Sequence, residues 1–171
     1  MNNFLTISDF VDNVQISISP DEQTDFDKFL GRMQIEFLRK VLGTSFYNSF
    51  KAGIEATSPA TIWTNLRDGV DYEYDGEEEH FDGIKLGLKY YSYVKWLQRN
   101  AFNYSSTGAS VAKKENSQVV SPVPNLVLIQ NKCMDFVMYD LYFFLETEKA
   151  SYSDYTTLNN PWKTRFNAFG I

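Results

Sequence analysis

The sequence predicts a mainly α fold: a helical bundle of three main helices with short accessory helices, one β-hairpin and a long loop. Three observations predict it. Apolar residues recur at spacings of three and four over 21–42, 83–102 and 125–149, each long enough for several helical turns. An alternating run, Val70-Asp71-Tyr72-Glu73-Tyr74, is followed by Asp75-Gly76, a dipeptide that favours tight hairpin turns. The stretch 103–124 has neither period and is Ser-rich. With 171 residues and 43% hydrophobic composition, the chain suits one domain, 1–171, built on a single core.

At the start of the chain, Ser8 is placed to cap a short helical turn, and Val14, Ile16 and Ile18 alternate as in a short strand. The first long helix, 21–42, carries Phe26, Phe29, Leu30, Met33, Phe37, Leu38 and Val41 on one broad face. Ser19 or Asp21 caps it, Pro20 suits its first turn, and the acids there complement the helix dipole. Arg39 and Lys40 lie at the other end, and Gly43 terminates it. Thr44 then caps a short helix with Phe46, Tyr47 and Phe50, ended by Gly53. Ser58-Pro59 opens another short helix with Trp63 and Leu66, ended by Gly69.

After the hairpin, whose return strand 77–81 is acidic, Gly83 opens an aromatic helix reaching Phe102. Ile84, Leu88 and Tyr91 form its face, and Leu86, Tyr90, Tyr93 and Trp96 widen it. A helix apolar on more than one side is either central in a bundle or partly in an interface. The aperiodic segment 103–124 reads as a long loop, of the kind that is either functional or a solvated connection. The last helix, 125–149, has a face traced by Leu126, Ile129, Cys133, Phe136, Val137, Asp140, Leu141, Phe144 and Leu145. The tail 151–171, with Trp162, Phe166, Phe169 and Ile171, is apolar enough to require packing on its own domain or on a neighbour.

Composition narrows the function. The net charge of −6 opposes tight binding to phosphate backbones. The one cysteine, Cys133, cannot form an internal disulfide and falls on an apolar stripe, so it reads as a core thiol made in a reducing compartment. No run approaches the ~20 apolar residues that cross a bilayer, and Met1–Phe10 has no signal-peptide pattern. The single histidine, His80, leaves no nucleophile–base pair to assemble, and no cofactor motif is present, so the expectation is no enzyme activity and no cofactor. His80 beside Glu77, Glu78 and Glu79 reads as a solvated acidic arm. Asp71, Glu73, Asp75, Gly76, Glu77 and Asp82 approximate a calcium loop, with three departures: Glu at position three, Glu78 at position eight, and the short Asp82 at position twelve. The alternation of Val70, Tyr72 and Tyr74 favours a hairpin instead, and no metal site is assigned.

The order of the pieces carries a resemblance. Leu38-Arg39-Lys40-Val41-Leu42-Gly43 leads to Phe46-Tyr47-Asn48-Ser49-Phe50. Then come Trp63-Thr64-Asn65-Leu66-Arg67-Asp68-Gly69, the Tyr-rich hairpin, and Gly83-Ile84-Lys85-Leu86-Gly87-Leu88-Lys89-Tyr90-Tyr91-Ser92-Tyr93. Thr107-Gly108, Glu115-Asn116-Ser117, a terminal helix and Asn167-Ala168-Phe169-Gly170-Ile171 follow. Over nearly its whole length the chain resembles the small helical head–tail connector proteins of tailed phages, in particular a type from phages of Bacteroidota. The resemblance implies a neck adaptor of the virion: a ring, commonly a dodecamer, beneath the portal protein. It joins the head to the tail or to further neck proteins, while DNA passes through without specific binding and no membrane is involved. Before assembly such a protein resides in the host cytoplasm. A tail terminator or other neck completion protein, and a small calcium- or ligand-binding helical module, are the alternatives. The residues expected at interfaces are Tyr90, Tyr93 and Trp96 on the aromatic helix, Thr107, Gly108, Lys113 and Lys114 in the loop 103–124, and Trp162, Phe166, Phe169 and Ile171 in the docking tail 151–171.

Overall fold

The computed structural model describes residues 2–11, 14–16, 18–100, 103–105, 108–110 and 123–156. The fold is mainly helical, as the periodicity predicts. Helix α1 spans Gln23–Glu55, α2 Thr61–Asp68, α3 Ile84–Asn100, α4 Val123–Asp135 and α5 Tyr142–Thr147; Phe136–Leu141 joins the last two as a π-helical segment. Strands β1 (Val70–Tyr74) and β2 (Glu77–Phe81) form the predicted antiparallel hairpin. A second short ladder pairs β3 (Asn103–Ser105) with β4 (Gly108–Ser110), inside the stretch predicted as loop.

Local chemistry accounts for the helix ends. At the N-terminus, Thr6 rather than Ser8 caps the first turn: Asp9 accepts hydrogen bonds from the Thr6 amide at 2.6 Å and hydroxyl at 3.0 Å. Ser19 and Glu22 repeat the device before α1, with Pro20 in the first turn where a missing N–H is harmless. The expected strand at Val14, Ile16 and Ile18 does not form among the described residues. Val14 and Ile16 are instead buried individually in the core, with no neighbouring strand to pair them.

Gly43 ends the first half of α1 as expected, with φ +72° and ψ 166°, a conformation open essentially to glycine alone. The second half folds back toward the first. Phe4 demonstrates the reversal: its amide donates to Gln34 Oε1 at 2.7 Å while its ring packs on Phe50 at 5.9 Å. Buried Gln34 also donates to the Asn2 carbonyl, so one side chain ties the N-terminal segment across the folded helix.

Helix α3 lies between α1 and α4. It is buried on several sides: Ile84, Leu88, Tyr91, Ser92, Tyr93, Val94 and Trp96 are all shielded from water. Of the two readings of its broad apolar surface, the central one applies. Gly87 permits the close approach, because a Cβ there would lie 2.5 Å from Phe136 and 2.8 Å from Phe37. A polar link crosses the same interface: Tyr91 Oη donates to Glu36 at 2.6 Å, and Lys40 reaches both. Burial and the Glu36 carboxylate push the Tyr91 phenol up to about 12.

The terminal helix begins at Val123, two residues before the predicted start, with Pro124 in its first turn. Its π segment sets Leu141 five positions after Phe136, with both side chains buried, and Phe144 and Leu145 also reach the core. The start of the expected docking tail is core too. Tyr152 and Tyr155 are buried, both packing on Phe46, while Tyr152 Oη donates to the Ile62 carbonyl at 2.9 Å. Residues 157–171 lie outside the described residues.

Candidate functional site

The hairpin is the most chemically distinctive surface. Asp75 and Gly76 both have positive φ, +52° and +83°, the requirement of a two-residue type I′ turn whose twist matches the strands. Residue pairing sets Asp71 opposite His80, Tyr72 opposite Glu79, Glu73 opposite Glu78 and Tyr74 opposite Glu77. One face anchors the hairpin: Phe81 stacks on Phe144 at 4.3 Å, Tyr72 meets Phe144 edge-on at 5.2 Å, and Tyr74 meets Phe143 at 4.6 Å. The acids remain in water, from Asp71 through Glu79.

This geometry replaces the calcium loop that the spacing approximates. Asp71 and Glu73 lie along extended β1, where positions two apart are separated by ~7 Å, and Asp75 follows in the turn beyond the strand's end. Calcium ligands must instead converge at ~2.4 Å on one centre. Among the described residues no three His, Cys, Asp or Glu side chains converge as metal ligands. Asp71 and Asp82 are both drawn to His80: Asp71 Oδ1 lies 2.5 Å from His80 Nδ1, and Asp82 Oδ1 lies 3.7 Å from Nε2. The Asp71 hydrogen bond raises the His80 imidazole above its ordinary value.

The expected interface residues are dispersed. Tyr93 and Trp96 are buried in the chain's own core, which corrects their placement at an interface. Trp96 packs edge-on against Phe26 at 4.8 Å and Phe29 at 5.1 Å, and Asn125 donates to Tyr93 Oη at 3.1 Å. Tyr90 is half-buried, and desolvation, with the charges of Asp82 and Asp140 nearby, raises its phenol. Gly108 begins β4, opposite Ser105. Thr107, Lys113, Lys114, Trp162, Phe166, Phe169 and Ile171 lie outside the described residues. Cys133 is the packed thiol expected: it is buried, donates to the Gly87 carbonyl at 3.6 Å, and is pushed up to about 12 by desolvation.

Two surfaces escaped the sequence reading. The first is aromatic: Tyr74, Tyr139 and Phe143 are 45%, 57% and 37% exposed, at the junction of the hairpin with the π segment and α5. The second is cationic. Lys28, Arg32, Lys51 and Arg99 line a groove of about 540 Å³, together with Ile35 and Tyr47. Arg39 caps the Tyr47 ring at 5.3 Å, and Arg99 lies over Trp96 at 5.6 Å. Lys28, Arg32, Ile35 and Arg39 are spaced four, three and four apart on α1, a stripe readable from the sequence. The contribution of Lys51 is not, because it arrives only through the reversal at Gly43.

Among the described residues, no helix is long and apolar enough to cross a membrane. No curated protein and no solved structure matches the chain. A family of proteins described as of unknown function, DUF6712, matches residues 38–164, from the end of the first half of α1 through the hairpin and the central and terminal helices. That match covers well over half of the sequence, and the chain belongs to this family.

Proposed function

We propose that this protein is a structural component of a phage neck, a head–tail connector that assembles as a ring beneath the portal and is not an enzyme. The order of motifs along the chain supports this reading, and so does a central helix that fixes a rigid helical body. The observation that carries it is the exposed aromatic surface of Tyr74, Tyr139 and Phe143, in a chain that buries aromatic rings extensively. Single exposed apolar residues are ordinary, but adjacent exposed aromatics are a common basis of protein–protein contacts. On this reading the ring places that surface against a neighbouring neck component. The protein would reside in the host cytoplasm before assembly and in the virion neck afterwards.

The test is light scattering over a concentration series, followed by negative-stain microscopy with and without purified portal assemblies. Rings with a central hole, formed alone or templated on portal, are expected. A protein that remains monomeric at all concentrations and leaves portal unbound overturns the reading.

A further inference from the structure

Resting on the ring reading above, we infer that neighbouring subunits join head to tail, with the acidic hairpin of one copy seated in the cationic groove of the next. A ring needs a heterologous contact, in which two different surfaces of the same chain are complementary. This chain carries two such surfaces of opposite sign. The hairpin presents Asp71, Glu73, Asp75, Glu77, Glu78 and Glu79 within nine residues, all exposed. The groove presents Lys28, Arg32, Lys51 and Arg99, in a protein whose net charge is −6.

The groove's cations are only partly neutralised from within. Lys28 has Asp25 at 3.7 Å and Lys51 has Glu55 at 4.0 Å, both exposed helix pairs of little strength. Asp25 is the one acid among the described residues lining the groove. Ile35, 42% exposed, and the buried Tyr47 add an apolar floor on which a hairpin's side chains can rest.

The placement suits a ring. The groove borders α1 and the end of α3, whereas the hairpin is anchored on Phe136, Phe143 and Phe144, beyond α3 in the layered bundle. Complementary surfaces borne by different layers cannot satisfy each other within one subunit, so each copy leaves one of each sign for its neighbours. The occupant is folded before it arrives: its turn is a tight two-residue type, and one face is held along its length by three aromatic contacts, which lowers the ordering cost of association.

Charge reversal with rescue tests this. Arg32→Glu with Lys51→Glu reverses the groove, and Glu77→Lys with Glu78→Lys reverses the hairpin; all four side chains lie at the surface or half-exposed, and circular dichroism checks that each variant folds. Assembly is read by light scattering and microscopy, with portal added if wild type requires it. Each reversal is expected to weaken ring formation by about tenfold or more, and the chain carrying both reversals is expected to recover it. Carbodiimide cross-linking of mixed ¹⁵N-labelled and unlabelled wild-type protein is expected to join Lys28 or Lys51 of one copy to a hairpin glutamate of another. Rings that form normally in both reversed variants overturn the inference while leaving the connector reading intact. So does loss of DNA binding by the groove variant without any change in rings, which would assign the groove to phosphate. A wild-type protein with no rings, no portal binding and no cross-link between copies overturns both.

Discussion

The central helix and the hairpin are both dense in aromatic residues, yet they use them in opposite ways. On α3, Tyr91, Tyr93 and Trp96 are enclosed by α1 and α4 and hold the subunit together. On the hairpin, Tyr72 and Tyr74 are enclosed on one side only, and Tyr74 with its partner Phe143 stays at the surface. An aromatic count along a segment therefore does not say whether the segment serves stability or contact. What decides is whether a second layer covers it, and α3 has a layer on each side.

The largest effect that would break this contrast is at Trp96. Trp96→Ala removes the ring between Phe26 and Phe29 and is expected to cost about 3–5 kcal/mol in urea unfolding. A variant that keeps wild-type stability but loses assembly would return Trp96 to an interface. Next is Gly87→Leu, which forces side-chain atoms into Phe136 and Phe37. Overpacking of this kind is expected to cost about 1–3 kcal/mol or more, read as a lowered melting temperature.

The opposite outcome is expected at the exposed aromatics. Tyr139→Ser with Phe143→Ser should cost clearly less than Trp96→Ala, about 1–2 kcal/mol of unfolding free energy, since both side chains are substantially exposed and the substitution removes the edge-on pair of Phe143 with Tyr74. Assembly, measured by light scattering, should be lost. A large loss of stability instead would place these side chains in the core and erase the distinction.

The smallest effect concerns His80. Its folded-state pKa lies above the ordinary 6.5 because Asp71 accepts its hydrogen bond. The associated stabilisation of the hairpin is therefore complete below pH 6.5 and is lost as pH rises through the raised value. Asp71→Asn should return the NMR titration of His80 toward 6.5. An unchanged titration would mean that the pair does not form in solution.

Helices, the hairpin and the break at Gly43 were legible because each is written locally. Apolar period, turn dipeptide and glycine sit within a few residues of the backbone they determine. Three things were not legible. The fates of Tyr93 and Trp96 depend on Asn125, Phe26 and Phe29, which lie about 30 or more residues away in sequence. The cationic groove needs the direction taken after Gly43, which a glycine permits but does not specify. The short strand expected at Val14, Ile16 and Ile18 shows the same limit: alternation marks which side chains can face a core, but a strand needs a partner, and that segment finds helices instead.

The π segment has a consequence for insertions and deletions. One residue removed from an α-helix rotates everything downstream by ~100° relative to what precedes it. In most of α4 this would turn the buried face of the following turns to solvent. Phe136–Leu141 already holds one residue more than an α-helical path between those two side chains requires. Deleting Met138 should convert the segment to α-helix and leave Phe136 and Leu141 both facing the core, whereas deleting Gln130 should melt the protein at a much lower temperature. The helix thus has a single site where chain length can change without resetting the packing around it.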